Sequence, residues 1–536
     1  MLLKPFRFLN YPLIHFVVIS FALLGGLYLL LGWSSFSEDD AHILEVAARY
    51  GWFEVYYKPE IYQQLSAAHY TPVALSIYKF LWIFTGLNPS SFLVFQLLCF
   101  GVVSALCAQL CFKITKDYWA SIFVVVLMFS SEAILTLISR FYTTHYLVGG
   151  IFSLIAFLLY FGEWEWEWER ERETQWVRLL FVAIALFLSL QSKEVYIISA
   201  LVLMLYALKK RDLYALGAFV LTVALHIALR WHVIGLSQDG RSGDGYAVEI
   251  LGVNGAQWGA FFLWYLNAKF LIIVFAVIAM VLDPKKFLSF FAVALLFSLP
   301  ALGAVHGIIY SDQHADRIFF AFDCALIVAI CVVLFNKASE HVKVGVIVCA
   351  FFVSLFLQYQ AAQKLKAIET KKVDYIITQF VLSELGEGSS LLSLLLPLNF
   401  KQGALMNVIN LMGERPVFFT LNCLQALNSA STYVLFDSEG NRIELSTLKA
   451  RCKAMNASLT LHKPVQFNRG VLEWDVNVSP SYSAGILFVE RAFSVATTQF
   501  SERFVRPRDN EKYQVYATDG THWWFSETLE VLINSE

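Results

Sequence analysis

The sequence predicts an all-α polytopic transmembrane bundle followed by a soluble α/β domain. Three observations predict it. The 536 residues are 58% hydrophobic and only 15% charged, with a mean hydropathy of +0.60, where soluble domains carry about 25% charged residues. The apolar residues gather into about eleven runs near bilayer length. From about Ala361 these runs stop, and short alternating segments separated by Gly, Asn and Ser replace them. The expected division is residues 1–360 as the transmembrane domain, with an outer loop over 33–91, and residues 361–536 as an extracytoplasmic domain. Aromatic residues reach 16%, which suits lipid-facing and interfacial positions. The net charge of -2 argues against nucleic acid as a partner.

The spans lie near 11–32, 92–112, 119–138, 145–162, 176–191, 195–208, 213–233, 259–282, 287–304, 317–335 and 342–358. The first is too long for a signal-peptide core and is expected to be retained. Those near 176–191 and 195–208 are short for a full crossing. Thr71–Gly86 reads as an interfacial helix, because Pro72 opens it and Lys79 lies inside it. Alternate loops then carry the basic clusters: Lys4 and Arg7; Lys113 and Lys116; Arg170, Arg172 and Arg178; Lys209, Lys210 and Arg211; Lys285 and Lys286; Lys337 and Lys343. The positive-inside rule makes that side cytoplasmic. The N-terminus is then inside, and the loop after the first span lies outside with the C-terminal domain. A bacterial inner membrane, with a periplasmic C-terminal domain, is the expected setting.

In the C-terminal part, Val373–Leu385 has helical spacing, and Leu391–Leu396, Val417–Leu421, Thr432–Phe436 and Gly485–Val489 read as strands. Asn456 and Asn477 stand in N-x-S/T triplets, which arise often by chance. Cys423 and Cys452 lie in this polar region and could pair outside the cytoplasm. The other six cysteines sit in apolar runs and read as small hydrophobes. The EWEWEWERERE stretch between Gly162 and Trp176 reads as a solvated connector.

A charge at the centre of a span costs about 2.5–3.5 kcal/mol on insertion scales. The polar residues near the membrane gather on the outer side of this layout. Asp39, Asp40, His42 and His69 lie in the first outer loop, and Glu132 ends the third span. Arg140 and His145 bracket the next turn, and Lys193–Glu194 form a hairpin. Arg230 ends the seventh span, and His314, Asp316 and Arg317 open the tenth. Each has a plain alternative as an interfacial anchor, a solvated turn or a hydrogen-bonded core group. As a set they have the composition of a site for an anionic leaving group and an attacking hydroxyl.

These residues resemble a type-C polytopic glycosyltransferase, closest to the protein O-mannosyltransferase and tetratricopeptide-bearing branch. SEDDAHILEVAARYGWF resembles the family's acidic first outer loop. HYTPVALSIYKFLWIFTGLNPSSF resembles its H-Y-x-P…GLNP block. SSEAILTLISR, LSLQSKEVYIISALVLMLYAL, ALRWHVIG and DRIFFAFDCALIVAI resemble later span ends in the same order. The resemblance covers about the first 340 residues. Phe129-Ser130-Ser131 departs from the His-Pro-x-His expected before the Glu, and no C-terminal helical repeat is seen.

The resemblance implies transfer of a sugar from a polyprenyl-phosphate donor at the outer membrane face. Asp39 is the expected general base, with Asp40 second. Lys193, Arg317, Arg140 and Arg230 are expected at the donor phosphate. His69, Glu132, Glu194 and His145 are expected at substrate. Membrane lipids surround the protein, and the acceptor is left open among protein, lipid and glycan. Paired acids also suit a divalent cation, so a metal is left unassigned. A transporter or flippase of lipid-linked sugar is the competing reading, and a glycan polymerase or ligase a third.

Overall fold

The structure is a computed structural model. It describes residues 11–31, 34–36, 40–65, 69–130, 133–161, 172–235, 255–302, 315–335, 338–369 and short segments beyond that form β-strands. The chain divides into two compact units. One comprises Met1–Ser34 and Tyr50–Ala367, the other Ser35–Arg49 and Ile368–Glu536.

The first unit is helical. Its helices are α1 (Tyr11–Leu31), α3 (Pro59–Leu65), α4 (Pro72–Thr85), α5 (Pro89–Thr115), α6 (Tyr118–Met128), α7 (Ala133–Ser139), α8 (Thr144–Phe161), α9 (Arg172–Ser192), α10 (Ile197–Lys210) and α11 (Leu213–Ile234). They continue with α12 (Gly255–Ala268), α13 (Phe270–Leu282), α14 (Pro284–Leu296), α15 (Leu299–Leu302), α16 (Ala315–Ile318), α17 (Phe320–Leu334) and α18 (Glu340–Glu369). Helix α2 (Asp40–Arg49) belongs to the second unit. The core is built on α5, which packs on α1, α6 and α8, while α8 packs most extensively on α9. That core is apolar and aromatic, with Phe100, Val103, Phe123, Leu127 and Leu186 fully buried.

Several helices of the bundle begin on polar caps. Asn88 accepts from the Ser90 N–H at 3.1 Å ahead of α5, and Asp117 accepts from Trp119 and Ala120 at 2.9 and 3.1 Å ahead of α6. Asp212 and Asp283 do the same for Ala215 and Lys286. Such side chains satisfy amide groups that the first helical turn leaves without partners. Elsewhere the chain turns through 3₁₀ segments, Phe141–Thr143 and Glu194–Tyr196, with no side-chain cap. Those turns carry the polar groups described below.

Among the described residues, five helices are long and apolar enough to cross a membrane: Pro12–Leu29, Pro89–Thr115, Phe141–Phe161, Leu213–Ile234 and Glu340–Ala367. The first unit is therefore that of a helical integral membrane protein. The predicted spans over 119–138 and 287–304 are each split into two helices. Over the expected span 259–282 the helix breaks between Ala268 and Phe270 with a bend of 94°, and Lys269 at the break pairs with Asp323. Pro72–Thr85 is a helix, buried along Pro72, Val73, Leu75, Tyr78 and Leu81.

Close approach of α8 and α9 depends on glycine. A Cβ at Gly149 would stand 2.4 Å from the Tyr196 ring and 3.4 Å from the Ser189 carbonyl oxygen. Ser189 donates to the Gly149 carbonyl at 2.8 Å, and the Tyr196 hydroxyl donates to the Tyr146 carbonyl. Gly149 thus lets Tyr196 lie against α8, which fixes the turn at Lys193–Glu194.

The second unit contributes α2 and twelve strands among the described residues. Strands β1 (Leu391–Leu394), β2 (Tyr433–Phe436) and β3 (Arg442–Ile443) form one sheet, with β1 parallel to β2. A second has the order β10 (Trp523–Phe525), β9 (Lys512–Thr518), β6 (Ser483–Phe488), β7 (Phe493–Thr497), with β11 (Leu529–Glu530) also on β9. A third has the order β12 (Leu532–Ile533), β4 (Leu461–Asn468), β5 (Val471–Val476), β8 (Ser501–Glu502). Three of the expected strands overlap β1, β2 and β6. The expected helix at 373–385 and strand at 417–421, both sequons, Cys423, Cys452 and the acidic connector lie outside the described residues.

Candidate functional site

Loop ends of the helical unit bring seven of the expected residues together. The segment before α4 is anchored first. Tyr70 is fully buried; its hydroxyl donates to the Tyr56 carbonyl at 2.9 Å, and its ring packs 5.3 Å from that of Tyr62. This presents the Tyr70 N–H to Glu194 Oε1 at 2.6 Å. His69 Nδ1 lies 3.6 Å from Glu194 Oε2, and Arg230 Nε, near the end of α11, lies 3.7 Å from Oε1. Glu194 therefore joins three separate chain segments.

Beside this hub stand the cations. Lys193 is 3% exposed, and its Nζ lies over the Tyr146 ring at 5.4 Å. No carboxylate and no hydrogen-bond acceptor among the described residues reaches that ammonium. Arg140 is 2% exposed and its Nη1 donates to the Tyr142 hydroxyl at 3.1 Å. Arg317 lies over the ring of the same tyrosine, with Cζ 4.8 Å from the centroid. The Arg140 turn is rigid: Gln96 Nε2 donates to the Arg140 carbonyl at 3.1 Å, and the Thr143 hydroxyl donates to it at 2.7 Å. His145 packs on Tyr146 with ring centroids 4.5 Å apart.

The electrostatics follow from one carboxylate amid several cations. Burial raises the Glu194 pKa, but the His69 imidazole, the Lys193 charge and the Tyr70 N–H outweigh it and hold the carboxyl well below its ordinary range. Burial lowers Lys193 to about 8; the Glu194 charge opposes that shift and Arg317 adds to it. His69 is lowered first by the Lys193 charge and then by burial, although its side chain is 44% exposed. At neutral pH Lys193 carries most of its charge.

This gives a pH dependence with a definite sign. Above pH 8 the ammonium of Lys193 loses its proton in the free protein, so affinity for an anion at this site falls as pH rises. The dissociation constant for a phosphate anion held by Lys193 is expected to grow by up to about tenfold per pH unit above pH 8. Lys193→Arg is expected to remove that slope, since guanidinium does not titrate there. An unchanged slope in Lys193→Arg would remove Lys193 as its source. The linked stability change has the opposite sense. The unfolded chain binds the proton more tightly, so the cost of burying the charge is full below pH 8 and relieved between about pH 8 and 10.5.

The other expected residues stand differently. Asp40 begins α2 in the second unit and is buried. Asp39, Glu132 and His314 lie outside the described residues. Among the described residues no group of three or more His, Cys, Asp or Glu is placed to hold a metal ion. A cavity of about 360 Å³ is lined by apolar residues and Asp283, including Phe275, Leu334 and Val342. It lies at the C-terminal end of α17, away from Arg317.

Sequence reasoning passed over Tyr70, Tyr142 and Tyr146 as partners. It also passed over Lys269 and Asp323, whose signal was an isolated charge inside an apolar run.

No family model matches the chain, and no curated protein matches it. Among solved structures, the chain is similar to ArnT from Cupriavidus metallidurans in the apo state, with a TM-score of 0.43 and 11% identity, covering 83% of this chain and 96% of that one.

Proposed function

We propose that this protein transfers a sugar from a polyprenyl-phosphate-sugar donor to an acceptor hydroxyl at the outer face of a bacterial inner membrane. The N-terminus would then be cytoplasmic. One observation supports the reading above the rest: the ammonium of buried Lys193 lies over an aromatic face, with Arg317 and Arg140 gathered on a neighbouring tyrosine, so the cations here outnumber the one Glu194 carboxylate. A buried cation needs an anion to offset its lost hydration. A lipid-linked phosphate would supply that anion from the bilayer side.

In the proposed step the acceptor oxygen bonds to the anomeric carbon as the bond from that carbon to the phosphate oxygen breaks. The hydroxyl proton passes to a carboxylate, and the electron pair leaves on the lipid phosphate. A single displacement inverts the anomeric centre. Lys193 and Arg317 would stabilise the growing negative charge, an effect that is strong where water is excluded. The base is assigned to Asp39, with Asp40 second, from their place in the acidic loop. Glu194 is a poor candidate, because its lowered pKa makes it a weak proton acceptor. Its partners make it the organiser of His69 and Tyr70.

The test is mass spectrometry of lipids extracted with the detergent-purified protein, followed by binding of undecaprenyl phosphate. Polyprenyl-phosphate lipids are expected to co-purify with the wild type. In Lys193→Ala they are expected to fall about tenfold or more, as for loss of one charged hydrogen-bonding group. Equal lipid content in both would refute the phosphate role. Movement of intact donor across vesicles, without release of lipid phosphate, would replace the transferase with a flippase.

A further inference from the structure

A second polar group lies in the apolar part of the helical unit, outside the site above. Lys269 Nζ lies 2.6 Å from Asp323 Oδ2, with side chains 0% and 7% exposed. The Tyr265 hydroxyl donates to the other oxygen, Asp323 Oδ1, at 2.8 Å. Both carboxylate oxygens are therefore engaged from one side, by the break between α12 and α13. Lys269 sits at the 94° bend itself. Its N–H still donates to the Tyr265 carbonyl, and its carbonyl accepts from Ile273, each at 3.0 Å. The junction is an ordered corner, not a frayed helix end.

This corner is packed on the start of α17. The Phe319 ring lies 5.4 Å from Phe261 and 5.9 Å from Tyr265, both on α12. The Asp323 N–H donates to the Phe319 carbonyl at 2.8 Å. Two residues before Phe319 is Arg317, on the short α16, facing the Tyr142 ring. Contacts thus run from the ion pair to Phe319, and two residues of backbone join Phe319 to Arg317.

We propose that Asp323, with Lys269 and Tyr265, is a positioning group that holds Arg317 against Tyr142 in the anion site. The physical reason lies in what buried ion pairs do. Exchanging such a pair for apolar residues is often neutral for stability, so its worth is in geometry that apolar packing does not specify. Arg317 has many side-chain rotamers and lies on the four-residue α16, so it depends on a fixed backbone to keep its place. The effect on ligand binding rests on the phosphate role proposed for Arg317; the positioning itself does not.

The experiment uses the full chain in detergent, with two readouts: binding of undecaprenyl phosphate, and amide hydrogen exchange over residues 315–322. The double variant Lys269→Met, Asp323→Leu is expected to fold, to exchange faster over 315–322, and to bind about tenfold more weakly. In an Arg317→Ala background the same double change is expected to alter binding by less than about twofold, because both act through one group. A tenfold loss that persists without Arg317 would overturn the inference, as would wild-type exchange over 315–322. If Arg317→Ala alone leaves binding unchanged, the phosphate role of Arg317 falls, and exchange alone decides the positioning. Should the double variant not fold, Tyr265→Phe removes a single hydroxyl and carries the same two measurements.

Discussion

Asp39→Asn is expected to reduce sugar transfer by about a thousandfold or more, within the range for removing a general base. The amide keeps the size of the carboxylate but cannot accept the hydroxyl proton. Undecaprenyl phosphate binding should stay within about twofold, because the cations assigned to the phosphate are untouched. The comparison with Asp40→Asn is informative. Asp40 is buried in the first turn of α2, where a negative charge is favourable to the helix. Its loss is expected to lower the melting temperature of the second unit more than it alters the transfer step. Transfer near the wild-type rate in Asp39→Asn would remove Asp39 as base. The reverse pattern, a stable Asp40→Asn that cannot transfer, would move the role one residue along.

The second large effect is at Glu194. Replacement by Ala leaves the Tyr70 N–H without its acceptor, and removes the negative charge beside Lys193 and Arg230. An unmatched buried donor together with uncompensated cations should cost about 3 kcal/mol or more. Glu194→Gln keeps an oxygen for the Tyr70 N–H and is expected to recover part of the loss. In Glu194→Ala the Lys193 pKa should fall below its value of about 8, since the charge that opposes its shift is gone. Thermal unfolding of the three proteins, with the pH profile of undecaprenyl phosphate binding, measures both effects. A melting temperature for Glu194→Ala equal to that of the wild type would show that Glu194 is not a structural hub.

How far the site could be read beforehand differs residue by residue. Lys193–Glu194 stood out because two charges between two apolar runs are costly to place unless they serve a purpose. Arg317 stood out for the same reason. What the tyrosines do was not legible. Tyr142 and Tyr146 look like ordinary interfacial aromatics until the turn at Arg140 and the corner before α17 bring cations over their rings. Lys269 was hidden by the length of its apolar run. A window averaged over about 19 residues absorbs one lysine, so 259–282 read as one span.

The sequence alone determined that this is a helical membrane protein, because hydrophobic run length is a property of local composition. It also marked the charges that an apolar surrounding must accommodate. Only the tertiary structure decided which of those charges meet. Glu194 joins Tyr70, His69 and Arg230 across wide gaps in the chain, Lys193 is left facing an aromatic ring, and Lys269, at a helix break, meets Asp323. Pairing depends on which helix ends are brought side by side, and that is set by packing such as Gly149 against Tyr196, which no local pattern encodes.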